Sequence, residues 1–143
     1  SMWAEDPAAR AQSDKWMDWS TTVYWPPMRT VFWGLVRTPP EKRNLEEIEA
    51  ARNKASEILK ILDAALAESD YIAGRALTIG DIPLGAISWR WFGIDMERPP
   101  LPHVEAWFKR LSRREAFKKS VLLPLNWKSR LSGFKDKITF APA

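Results

Sequence analysis

Cysteine is absent from all 143 residues, which excludes disulfides, thiolate nucleophiles and thiolate metal sites together. The single histidine is too little for a histidine-rich metal centre, so no metal site is expected. The six glycines are scattered at turns and expected helix ends. None of them builds the glycine-rich loop that cradles a phosphate, so nucleotide cofactors have no support. No run approaches the roughly 18 consecutive apolar residues of a membrane span. No basic start followed by an apolar stretch marks a secretory leader. These absences are compatible with a cytoplasmic protein and predict no membrane partner.

What is present is apolar and aromatic. Residues of apolar type make up 45% of the chain, enough for one domain with a core. Nine tryptophans require large aromatic groups in that core or along a cleft. Net charge is +4 and uneven: residues 1–70 carry 9 basic and 12 acidic side chains, residues 71–143 carry 13 and 6. A basic half can mark a nucleic-acid binder. Here the basic residues lie on amphipathic helices without an aromatic–basic RNA-binding motif, so they read as solvated faces and no nucleic-acid partner is expected.

Periodicity predicts helices throughout. Asp6 is a good N-cap and Pro7 suits the first helical position. Trp16, Trp19, Val23 and Tyr24 recur at helical spacing, Pro26-Pro27 interrupts, and Val31, Phe32, Leu35 and Val36 resume. This reads as one long helix, kinked at the prolines. Asn44 and Glu47 make a capping-box pattern before a stripe of Ile48, Ala51, Ala55, Ile58, Leu59, Leu62 and Leu66. A third helix is expected from Thr78, with Thr78 and Asp81 as capping box and Leu77 and Ile82 at the staple positions. A fourth follows Pro102 with Val104, Trp107, Phe108 and Leu111 on one face. Ser112 and Glu115 form another capping-box pattern before a short helix with Phe117. The fold class is therefore all-α, a bundle of about five helices, with residues 126–143 an extended C-terminal tail. Ser1-Met2 reads as a cloning scar.

The segment Tyr71-Ile72-Ala73-Gly74 followed by Leu77-Thr78-Ile79-Gly80-Asp81-Ile82 resembles the turn into the central core helix of glutathione transferases. Arg90-Trp91-Phe92, Pro102 to Trp107, Arg110-Leu111 and Ala116-Phe117 resemble the end of the same helical domain in bacterial members. Trp16-Met17-Asp18-Trp19 and Phe32-Trp33 are similar to its first helix. The resemblance spans roughly residues 3–125. It implies the all-α C-terminal domain of a glutathione transferase, lacking the thioredoxin-like domain that binds glutathione and activates its thiol.

The resemblance implies further that the first helix borders an apolar co-substrate pocket, with Trp19, Thr22, Trp25, Pro26, Arg29 and Trp33 as its lining. Arg29 either sits on a solvated face or points toward the missing domain, where its fork could pair with a glutathione carboxylate. No catalytic residue is expected in this chain, and glutathione would be the parent's co-substrate, used on a small apolar electrophile. A homodimer formed mainly through the first two helices is implied as well. The alternative is a non-catalytic interaction module, since helical domains of this type also mediate docking. Three single residues have simpler readings. Thr78 and Asp81 are expected to serve folding rather than acid–base chemistry. Arg90, between two tryptophans, is expected to be paired or stacked, with a structural ion pair favoured over catalysis, and His103 to lie on the surface.

Overall fold

The computed structural model describes residues 2–125; the tail expected over 126–143 lies outside the described residues. Helical geometry runs unbroken from Pro7 to Arg37, through α1 (Pro7–Trp19), a π turn (Ser20–Tyr24), α2 (Trp25–Phe32) and a second π turn (Trp33–Arg37). Asp6 starts it, accepting the Ala9 N–H at 2.8 Å, with Pro7 in the first position. The prolines shape its middle. Neither can donate an N–H, and each ring crowds the carbonyl one turn back. The helix widens directly before them, and the Trp25 N–H reaches back five residues to the Ser20 carbonyl. The interruption expected at Pro26-Pro27 thus takes the form of a π turn. At the far end Arg43 donates to the carbonyls of Leu35 (2.7 Å) and Thr38 (3.1 Å), satisfying groups that the ending helix leaves without partners.

Helix α3 (Leu45–Leu66) begins where Asn44 Oδ1 accepts the Glu47 N–H at 3.2 Å. Its stripe of Ile48, Ala55, Ile58, Leu59, Leu62 and Leu66 is buried against α2 and α5. Gly34 permits the close approach at one end: a Cβ there would stand 2.5 Å from the Ile48 side chain. Gly74, at φ +134°, closes the turn in which the Tyr71 and Gly74 backbones exchange hydrogen bonds of 2.9 and 3.1 Å. Helix α4 (Asp81–Gly93) follows, three residues later than the start expected at Thr78. Leu84, Ile87, Trp89, Trp91 and Phe92 are all buried, so α4 is the apolar centre of the bundle.

Helix α5 (Pro102–Ser112) buries Val104, Trp107, Phe108 and Leu111, and α6 (Glu115–Ser120) adds Phe117. Counting Pro7–Arg37 as one, the described residues form five helices and no β-strand. One expectation fails. Ser112 caps nothing; its buried hydroxyl has no partner, and the N-cap position of α6 is Arg114. The reason is that Ser112 still belongs to α5, and the chain turns tightly through hydrogen bonds from Arg113 to Arg110 and from Arg114 to Leu111. Glu115 pairs instead with Lys118 at 2.8 Å.

Candidate functional site

Two regions hold the residues singled out from the sequence. The first is the entrance to α4. Asp81 is fully buried, and its carboxylate accepts four hydrogen bonds. Oδ2 takes the Thr78 N–H (2.9 Å) and the Thr78 hydroxyl (3.2 Å); Oδ1 takes the Ile72 N–H (2.9 Å) and the Trp107 indole N–H (2.9 Å). The Asp81 N–H goes to the Thr78 carbonyl at 3.1 Å rather than to the Thr78 hydroxyl. Leu77 and Ile82 flank this point, both half-buried. A buried carboxylate in a web of neutral donors is tied down on both oxygens. It joins the Tyr71–Gly74 turn, α4 and α5.

The second region is the first helix. Thr22, Pro26, Arg29 and Trp33 are exposed on it, Trp33 by 56%. Arg29 and Trp33 share an open cleft of about 470 Å³ at the junction with α3, together with Lys42 and Glu47. Trp19 and Trp25 lie half-buried instead. Trp19 packs edge-on against Trp16 at 5.0 Å between ring centres, and Trp25 lies under the Arg90 guanidinium at 5.3 Å. The Thr22 hydroxyl donates to the Asp18 carbonyl at 2.7 Å. The six pocket residues are therefore divided between an exposed face and the core margin.

Among the described residues Arg90 forms no ion pair; it is stacked, the other arrangement expected of a charge between two tryptophans. It donates to the Ala86 carbonyl at 2.7 Å and stacks on Trp25 and Phe32, so ring faces replace a carboxylate. His103 is exposed, and its backbone N–H and that of Val104 both donate to Asp63 Oδ1 at 2.9 Å. Asp63 thereby caps α5 from α3. Tyr24 is fully buried, with its hydroxyl 3.5 Å from Ser88 Oγ; burial pushes its ionisation well above the ordinary tyrosine range. Sequence reading passed over Asp63 and the Tyr24–Ser88 contact, since neither has a local pattern. No cluster of three metal-ligating side chains occurs among the described residues, and no helix there is long and apolar enough to cross a membrane.

This architecture defines a class: an all-helical domain whose central helix is anchored by a buried aspartate at its start. The model of the glutathione S-transferase C-terminal domain matches residues 23–115, and the chain belongs to that family. Glutathione S-transferase GstB of Escherichia coli K12 is 33% identical over 125 residues, covering 87% of this chain and 60% of that protein. A theta class glutathione S-transferase from Xanthomonas axonopodis pv. citri, solved with glutathione bound, superposes with a TM-score of 0.85. It is 42% identical, over 87% of this chain and 66% of its own. Glutathione S-transferase F10 of Arabidopsis thaliana is 28% identical over 122 residues, 76% of this chain and 53% of that protein. The chain thus spans about 60% of the length of GstB. It is the helical domain of a glutathione transferase-like protein.

Proposed function

We propose that this domain supplies the electrophile-binding wall of a cytoplasmic glutathione transferase, working with a thioredoxin-like domain that holds glutathione. The observation that carries the reading is the 33% identity to GstB, sustained over 125 residues. The division of labour follows from chemistry. Conjugation needs an ionised thiol and a donor to stabilise it. This chain has no cysteine, so the thiol is the one glutathione brings. What it offers is an exposed aromatic surface at Trp33 beside Arg29, with Thr22 and Pro26 exposed elsewhere on the same helix and Trp19 and Trp25 at the core margin. A small apolar electrophile suits such a wall, and Arg29 suits a carboxylate of glutathione. Dimerisation through the first helix and α3 belongs to the same reading; Leu45 and Ile61 stand exposed on α3 by 68% and 55%.

The test uses a neutral dye, so that charge plays no part. Nile red should bind the 143-residue chain saturably, and Trp33→Ala should weaken it about fivefold, roughly the contribution of one exposed apolar contact. Glutathione should give no saturable heat by calorimetry, and the chain alone no turnover with an aromatic halide. Saturable glutathione binding by this chain would contradict the proposed division.

A further inference from the structure

We propose that Arg37 and Arg90 form a binding site for a small organic carboxylate, separate from the Trp33 cleft and independent of glutathione chemistry. The two guanidiniums come from different elements, Arg37 from the end of the second π turn and Arg90 from the last turns of α4. Both lie against one ring: Arg37 stands 5.4 Å and Arg90 5.3 Å from the centre of Phe32. Trp25 covers Arg90 at 5.3 Å.

The local balance of charge and hydrogen bonding is incomplete. Arg90 uses one nitrogen on the Ala86 carbonyl, but its Nε–H is buried without an acceptor. A buried donor without a partner is costly, and more so on a charged group. Arg37 has no hydrogen bond or ion pair among the described residues. Burial and the nearby charge of Arg37 both lower the proton affinity of Arg90. The ion pairs at Glu49, Glu57, Asp70 and Glu115 all lie elsewhere. One anion beside the two guanidiniums would neutralise the pair, accepting from Arg37 and from the outer nitrogens of Arg90, since the Arg90 Nε–H has almost no accessible surface of its own.

The space for it is a cleft of about 220 Å³ between α2, α4 and the segment after α6. Besides the arginines it is walled by Phe32, Trp89, Val121 and Leu125. These walls favour an anion with an apolar body. The planar forks favour a carboxylate, whose two oxygens match paired N–H donors. A single-ring aromatic acid meets both requirements.

Benzoate is the probe, titrated into the 143-residue chain by calorimetry, with benzamide as the uncharged control of the same shape. Benzoate should bind at one site, and benzamide at least about tenfold more weakly, as loss of a charge-assisted hydrogen bond requires. Arg37→Gln changes an exposed side chain and should cost benzoate about tenfold. In ¹⁵N spectra the Arg90 Nε–H signal, assigned by its loss in Arg90→Lys, should shift with benzoate and stay fixed with benzamide. If Arg90→Lys does not fold, Arg37→Gln, confirmed folded by circular dichroism, decides the matter alone. Absence of saturable heat overturns the site, as does equal affinity for benzamide or an unchanged Arg37→Gln. Inorganic phosphate binding as tightly as benzoate overturns the assignment to an organic acid.

Discussion

The indole N–H of Trp107 on α5 donates to Asp81 Oδ1 at the start of α4 across 2.9 Å, with both side chains buried. This contact makes a helix cap into a tie between helices. Trp107→Phe keeps most of the ring but removes the donor. It should lower stability by roughly 1–3 kcal/mol, as expected for a buried hydrogen bond to a charged acceptor. Asp81→Ala, which strands four donors, should cost more than Thr78→Ala. Urea unfolding midpoints that leave all three variants level with the parent would refute the tie.

Asp63 caps α5 across a sequence separation of 40 residues, accepting the N–H groups of His103 and Val104. Asp63→Ala should destabilise the fold by about 1 kcal/mol, the usual loss for a helix cap. Asp63→Asn keeps an acceptor and should recover most of it. Thermal unfolding of both variants checks the order.

Gly34 and Ile48 are in contact range at the junction of the first helix and α3. Gly34→Ala would bring its Cβ 2.5 Å from Ile48, so the substitution should destabilise by roughly 1–3 kcal/mol through overpacking. In an Ile48→Ala background the obstruction is gone. The same change should then stabilise by about 0.5–1 kcal/mol, because alanine outperforms glycine within a helix. The reversal of sign in a double-mutant cycle is the measurement.

Tyr24 predicts an alkaline limb. Its hydroxyl is fully buried, and its folded-state ionisation lies far above the ordinary value of 10.0. Above about pH 10 the unfolded chain loses this proton while the folded chain keeps it, so stability falls as pH rises. Below that pH the group contributes no slope. Tyr24→Phe should flatten the decline between pH 10 and 11.5 in a denaturant series. An equally steep decline in the variant would assign the limb to other groups.

Dimerisation through the first helix and α3 would cover Leu45 and Ile61, exposed on α3 by 68% and 55%. Ile61→Glu should shift the association equilibrium toward monomer in light scattering while leaving the circular dichroism unchanged. A dimer of unaltered strength would place the contact elsewhere.

Some of this organisation was legible in the residues, and the difference lies in range. The starts of α1 and α3 could be read because Asp6 reaches Ala9 and Asn44 reaches Glu47, each three residues on. The burial of Leu59 and Leu62 followed from helical period alone. Ser112 shows the limit of the same rule. Its pattern is correct, yet the preceding helix extends through it, and a pattern cannot say which helix owns a residue.

The pocket residues along the first helix were legible as a helical series but not as a surface. The tertiary packing decided that Trp33 stands outside while Trp19 and Trp25 lean inward, because only the positions of α3 and α4 determine which arc of the helix is covered. What the amino-acid sequence determined by itself is the all-α class, the starts of α1 and α3, and the lack of cysteine or clustered-histidine chemistry. These depend on residue types and on contacts within one turn. What only the tertiary structure decided is the Trp107–Asp81 tie, the Asp63 cap and the meeting of Arg37 and Arg90 at Phe32. Each joins residues from separate helices or turns, and their distance is set by the packing of whole elements rather than by spacing along the chain.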